Sequence, residues 1–312
     1  MKLKKEVDEI GDFDQKFVQD TILNFIKSRS IYHTILENID YITSTNDVSK
    51  IMPQLEDTMK ITVSDDIGVD YFENINNHIV EMTTREVRTP FNWKTWDMYT
   101  YGGIPENDGC LFVIMAQPGL GKSQMMMNIG YNWLLQDKKV LMVSLEMSEK
   151  MYSARMDALF ADTGVNEIKD NTDKLAKRIK LIKSTHSNAK LQIKQYSPNE
   201  FNANKLKNLL DKLQKTKGFV PDLIIVDYLN IMGTNGPSYG MKTYDRIGMI
   251  TKELRAVSVE TKIPILSATQ ANRGNGGYAV DDSISMDNTS ESSAINMDAD
   301  CLFALFQGKG DR

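Results

Sequence analysis

Residues 116–123 read "AQPGLGKS". The stretch is one residue away from the phosphate-cradling pattern G-x-x-x-x-G-K-[ST], with Ala116 where the pattern has glycine. Its last five positions carry the physics. Gly119 and Gly121 let the backbone curl so that successive N–H groups point inward at phosphate oxygens. Lys122 supplies positive charge at the outer phosphates of ATP, and the Ser123 hydroxyl is a natural Mg²⁺ ligand. Gln117, Pro118, Leu120 and Gln124 complete the expected nucleotide-binding segment. The ordinary alternative is a Gly-rich turn leading into a helix, and context decides between them.

That context is a strand before and a helix after. "GCLFVIM" (109–115) is a continuous apolar run, as expected of a strand buried on both faces. A helix should start at Lys122 and run through "MMMNIGYNWLLQ", placing its positive dipole end at the loop. Further strands are expected at 139–146 ("KVLMVSLE"), 191–196 ("LQIKQY"), 222–228 ("DLIIVDY"), in "IPILSATQ" and in "DCLFALF". Helices are expected in "SEKMYSARMDALFA", at 199–216 and at 245–262. Strands alternating with helices of this length imply right-handed crossovers and a mostly parallel sheet with helices on both faces. The stretch 271–293 is rich in Gly, Asn, Ser and Asp and reads as a long loop.

Upstream the pattern differs. Residues 14–40 show helical periodicity, with Val18, Ile22 and Ile26 spaced by four and Ile31, Ile35 and Ile39 likewise. Shorter helices are expected at about 46–60 and 69–83. "VRTPFNWKT" (87–95) breaks the pattern, and Pro90 biases Thr89 toward an extended backbone. A boundary there divides an α-helical segment, 1–86, from an α/β core, 87–312.

Composition narrows the class. Hydrophobic residues make up 41% and charged residues 25% of the 312, ordinary for a globular protein. No apolar run approaches the roughly 20 residues needed to cross a bilayer, and "MKLKKEVDEIGDFD" lacks the apolar stretch of a secretory signal. Cys110 and Cys301 sit in apolar runs and read as reduced, buried thiols of a cytoplasmic protein. A net charge of −5 excludes a globally basic nucleic-acid binder but leaves room for local basic loops. Methionine is frequent, 18 in all, and the six that fall in "MMM" (125–127) and "EMSEKMYSARM" (146–156) read as helix-core packing.

Three further residues fall at strand ends. Asp227 closes "LIIVD", on the ligand side of an open α/β sheet, where an acid would hold Mg²⁺ directly or through water. Glu146 closes "VLMVSLE". It could orient and deprotonate an attacking water, or it could simply sit near the start of the helix after Ser148. Gln270 closes "IPILSATQ". It could hydrogen-bond the terminal phosphate and report its loss to the loop beyond, or be a solvated loop residue.

Together, "PGLGKS", "VLMVSLEMSEKMYSARMDAL", "FVPDLIIVDYL", "KELRAVSVETKIPILSATQ" and "SESSAINMDAD" resemble the hexameric replicative DNA helicases of the DnaB type, their T-even phage members above all. The resemblance covers about 87–307. It implies a RecA-like P-loop ATPase core and tolerance of alanine at position 116. Glu146 resembles that family's catalytic base, Lys122 and Ser123 its phosphate- and Mg²⁺-binding pair, Asp227 its Walker B acid and Gln270 its phosphate sensor.

The family threads single-stranded DNA through a central channel, held by loops that correspond to about 230–243 and 271–291. Lys242, Arg246, Asn272 and Arg273 are therefore candidate DNA-phosphate contacts, each otherwise an ordinary exposed residue. The resemblance also implies six subunits, 5′→3′ movement, primase and loader contacts, and a bacterial host cytoplasm. The helix at 14–40 corresponds to a linker that packs on the neighbouring subunit. Family members carry an additional N-terminal domain and several tens of further C-terminal residues with an arginine finger. On that comparison the chain starts near the linker helix and stops short of the finger, with Lys309 and Arg312 too early to serve. The competing readings are a RecA-like recombinase or clock-type ATPase, and a non-catalytic nucleotide-binding assembly module.

Overall fold

The computed structural model describes residues 15–45, 86–270 and 298–305, with isolated positions between them. The chain divides into two compact units, Met1–Thr84 and Arg85–Arg312. In the first, helix α1 (Gln15–Glu37) is followed by α2 (Ile39–Thr45). The break falls at Asn38, whose side chain donates to the Thr34 carbonyl at 2.9 Å, competing with the backbone ladder. Phe25, Ile26, Tyr32, Ile35 and Leu36 stand exposed along α1. The helices expected at 46–60 and 69–83 lie outside the described residues, apart from isolated positions.

The second unit opens with a short antiparallel pair, β1 (Arg88–Thr89) and β2 (Ile104–Pro105), joined through α3 (Lys94–Tyr99). Phe91 is fully buried and meets Phe112 and Phe303 of the sheet, while Trp96 stacks on Phe303 at 3.7 Å. Aromatic packing thus fastens the Pro90 stretch to the core.

Then come β3 (Leu111–Ala116), α4 (Lys122–Leu134), β4 (Lys139–Ser144), α5 (Glu149–Ala161) and a 3₁₀ turn (Val165–Asp170). These lead to α6 (Thr172–Thr185), β5 (Lys190–Gln195), α7 (Ala203–Lys217) and β6 (Leu223–Asp227). After a second 3₁₀ turn (Leu229–Ile231) follow α8 (Thr243–Thr261), β7 (Ile265–Gln270) and β8 (Cys301–Leu305). The six long strands form one parallel sheet in the order β5-β4-β6-β7-β3-β8. It is the parallel sheet with helices on both faces that the apolar runs predict, and it agrees with the RecA-like core that the resemblance implies.

Alternation within those runs explains their composition. Leu111, Val113, Leu141, Val143, Ile224 and Val226 face one core with α7 and α8. Their neighbours Phe112, Ile114, Val140, Met142, Leu223 and Ile225 face the other core with α4 and α5. A strand covered on both faces favours apolar residues at every position, so the run is nearly continuous. A buried polar residue such as Ser267 is admitted by donating to a neighbouring carbonyl, here Val226 at 2.6 Å. Met126, Met127 and Met156 fill the second core.

The sequence reading left 162–190 unassigned, and α6 lies there. Its only apolar stripe is Leu175, Ile179 and Ile182, and of these only Ile182 is buried. An amphipathic signal that weak is masked by the surrounding lysines.

Candidate functional site

β3 and β4 are consecutive in the chain yet separated in the sheet by β7 and β6. This reversal opens a crevice at the carboxyl ends of the strands, the place where open α/β sheets take ligands. A cleft of about 320 Å³ lies there. One wall is the phosphate loop, with Pro118, Gly119, Gly121, Lys122, Ser123 and Gln124. The rest comes from Glu146, Arg155, Tyr228 and Gln270. Gln117 and Leu120 are not among the lining residues; the Leu120 amide donates to the Gln117 carbonyl at 3.4 Å and closes the turn behind it.

Ala116 is the last residue of β3, is almost wholly buried, and pairs with Gln270 and Leu305. The left-handed backbone falls later, at Gly119 (φ 81°) and Gly121 (φ 85°). A Cβ at either glycine would meet nothing within 4 Å. The glycines are therefore required by the backbone path, not by crowding, and Ala116 sits where no such path is needed. Gly121 caps α4, so the helix's unpaired N–H groups open on the cleft.

Lys122 Nζ donates to the Ala116 and Gln117 carbonyls, both at 3.2 Å, and stands 6.0 Å from the Tyr228 ring centre. Burial pulls its pKa down, against the pull of Asp227 and Glu146. Asp227 ends β6 and is 1% exposed. Neither carboxylate oxygen has a hydrogen-bond partner among the described residues. Burial pushes its pKa up to about 6. The nearby Ser123 hydroxyl favours the ionised form without reaching hydrogen-bond geometry, Glu146 adds to the rise, and Lys122 and Arg155 oppose it. A buried, unpartnered carboxylate is costly unless a cation joins it. The protein offers one carboxylate and one hydroxyl here, and no cluster of three acidic, histidine or cysteine ligands exists among the described residues. That donor set suits a magnesium ion sharing its shell with phosphates and water.

Glu146 is exposed to the cleft, two residues past β4. Its turn is fastened from both sides. The Ser144 hydroxyl donates to the Met147 carbonyl at 2.8 Å, and the Leu145 amide donates to the Asp227 carbonyl at 2.9 Å. The cap of α5 is Ser148, which accepts from Met151 N, and the first-turn acid is Glu149, held by Lys194 and the Gln195 amide. Helix-start duties are thus filled without Glu146.

Gln270 accepts from the Tyr228 hydroxyl at 3.4 Å, and its amide donates to Asn230 Oδ1 at 3.0 Å. The peptide bond between Asp227 and Tyr228 is cis. Arg246 is turned onto the loop after β6, donating to the Asn230 and Met232 carbonyls at 2.7 and 2.8 Å. Lys242 is exposed at the cap of α8. Asn272 and Arg273 lie outside the described residues, as does the loop 271–291.

Three neighbours were not read from sequence: Arg155, Tyr228 and Tyr152. Tyr152 is wholly buried, its hydroxyl has no hydrogen-bond partner among the described residues, and burial, with Asp227 nearby, holds its pKa well above the usual range. The helical phase of α5 carried a signal. Tyr152 and Met156 mark its buried face, and Arg155 falls three residues after the first.

A parallel sheet with a phosphate loop at its reversal point, a polar residue ending the neighbouring strand and an acid ending the next defines a RecA-like P-loop ATPase fold. The family model "DnaB-like helicase C terminal domain" matches residues 90–310, and the chain belongs to that family. The DnaB-like replicative helicase of Enterobacteria phage T4 is 28% identical over 266 residues, covering 84% of this chain and 55% of the relative. The replicative DNA helicase DnaB of Helicobacter pylori strain J99 is 27% identical over 225 residues, covering 70% and 44%. The chain thus spans about half the length of these relatives. A solved DnaB-like replicative helicase, described with its interactions with primase, shares the fold. It has a TM-score of 0.60 at 19% identity and covers 96% of this chain and 71% of its own. Among the described residues no helix is long and apolar enough to cross a membrane.

Proposed function

We propose that this chain is the motor part of a replicative DNA helicase, converting ATP hydrolysis into movement along single-stranded DNA. The observation that carries this is the convergence of Lys122, Ser123, Glu146 and Gln270 on one cleft, with Asp227 buried beside them and without a hydrogen-bond partner among the described residues. Lys122 and the α4 amides hold the phosphates. Ser123 and Asp227 hold Mg²⁺, which when bound neutralises charge on the outer phosphates. Glu146, fixed relative to Asp227 but with its carboxylate bonded to no described residue, orients water and takes its proton.

The coupling to DNA runs through the residues after β6. Gln270 is tied to Tyr228 and Asn230, and Asn230 and Met232 are held by Arg246. A change at the Gln270 side chain is therefore felt at the 230–243 loop, which with Lys242 and the 271–291 segment would grip the DNA backbone. Arg246 then acts by holding that loop and also presents charge to it. Ring assembly, with α1 as the linker to a neighbour in a hexamer, 5′→3′ polarity, primase and loader contacts and a bacterial-cytoplasm setting follow from the family.

ATP hydrolysis with and without single-stranded DNA, followed by fork unwinding, tests this for the native chain and for Glu146→Gln. Hydrolysis stimulated by DNA and reduced on the order of 10²- to 10⁴-fold in the variant is expected. A native chain that binds ATP but never hydrolyses it, DNA present, would instead be a nucleotide-binding assembly module.

A further inference from the structure

We propose that Arg155 contacts the terminal phosphate of the bound nucleotide, as a cation supplied by the same chain. The inference rests on the nucleotide site argued above and adds a residue to it. Arg155 lies on α5, one helical turn past Tyr152, at the edge of that helix's buried face. It reaches the cleft wall together with Lys122, Ser123, Glu146 and Gln270. It makes no hydrogen bond or ion pair with any described residue, unlike Arg88, Arg246 and Arg255, which are bonded to carbonyls or carboxylates. An arginine at a half-buried position with its donors unspent is a group waiting for an acceptor.

The acids nearby do not fill that role. The charge of Arg155 is felt by both Asp227 and the Tyr152 hydroxyl. Even so, it pairs with neither Asp227 nor Glu146. The fork of a guanidinium matches two oxygens of one phosphate, and no described carboxylate takes it.

Position selects which phosphate. The loop at the start of α4 cradles the inner phosphates. Glu146 and Arg155 come from the far side, off the end of β4, which the sheet order places three positions from β3. Groups across the cleft from the loop meet the end of the triphosphate. With Lys122 from one wall and Arg155 from the other, charge leaving the terminal phosphate would be balanced on both sides.

Equilibrium binding of a non-hydrolysable ATP analogue and of ADP, with Mg²⁺, by the full chain tests this. The variants are Arg155→Ala, Arg155→Gln and Arg155→Lys, with Lys122→Ala as reference and thermal unfolding as a check on folding. Arg155→Ala should weaken the triphosphate analogue on the order of 10- to 100-fold, the range for hydrogen bonds to charged groups, while ADP stays within about twofold. Arg155→Lys should recover part of the loss. If the alanine variant does not fold, the glutamine and lysine variants carry the comparison. Equal losses for analogue and ADP would make Arg155 a structural residue and overturn the proposal, as would no loss for either. Lys122→Ala binding both nucleotides as the native chain does would instead overturn the nucleotide site itself.

Discussion

At the amino ends of the sheet strands, three aspartates are spent on the backbone. Asp222 accepts from the Lys139 amide at 2.6 Å, and Asp137 from the Asn188 and Ala189 amides at 2.8 and 3.1 Å. Asp300 accepts from the Leu111 amide at 2.8 Å and pairs with Arg255. At the carboxyl ends Asp227, the most buried of these acids, has no hydrogen-bond partner among the described residues. The glycines divide the same way. Gly109, entering β3, lies so close to the Ser258 and Val259 backbone of α8 that no Cβ fits, whereas Gly119 and Gly121, leaving it, face open space. One end of the sheet is closed by its own contacts. The other is left with unmet donors and acceptors, and such unmet groups collect where a ligand is to be met.

Three substitutions would break or sharpen that contrast. Gly109→Ala drives a methyl into the α8 backbone and should cost about 3 kcal/mol in urea unfolding, since neither side can yield. Nucleotide affinity of the folded fraction should not change. A loss of affinity without a loss of stability would put Gly109 in the site.

Asp227→Asn should move stability the other way. The carboxyl titrates near 6 in the folded protein and near 3.9 unfolded. It therefore binds its proton more readily when folded, and its ionisation costs stability as pH rises through about 6. At pH 8, without nucleotide, the variant should be more stable by about 2–3 kcal/mol. That advantage should fade on acidification and vanish below about pH 4, where both states are protonated. Urea unfolding at several pH values measures it, and a destabilised variant at pH 8 would show that Asp227 is satisfied after all. Mg²⁺-dependent nucleotide binding should be lost in the same protein.

Asp300→Ala should cost about 1–2 kcal/mol, chiefly by leaving the Leu111 amide unpaired at the start of β3. The contrast predicts unchanged nucleotide binding there too.

Much of the fold was legible in the sequence because parallel strands buried on both faces write themselves as unbroken apolar runs. The strands at 111–116, 139–144, 223–227 and 265–270 follow those runs closely. β5 was also found, although Gln192 and Lys194 interrupt it, because it lies at the sheet edge and is only half covered. The lysine-rich α6 was missed for the opposite reason, having too little apolar face to show a period. Of the site, the residues at strand ends were readable. Arg155 and Tyr228 were not, since they reach the cleft through helix phase and turn geometry, and neither was Tyr152, buried behind them.

The sequence by itself determined the local path of the phosphate loop, because left-handed backbone at two positions demands glycine and a helix must begin at Lys122. It determined most of the segments that are strands, because burial on two faces favours unbroken apolar runs. Only the tertiary structure decided that β6 and β7 lie between β3 and β4, through pairings such as Leu111 with Ile265 that join residues far apart in the chain. That order buries Asp227 with no hydrogen-bond partner among the described residues and brings Glu146 and Arg155 to the same cleft as the loop. Strand order is set by how two helical layers pack on a shared sheet, and no local pattern records it.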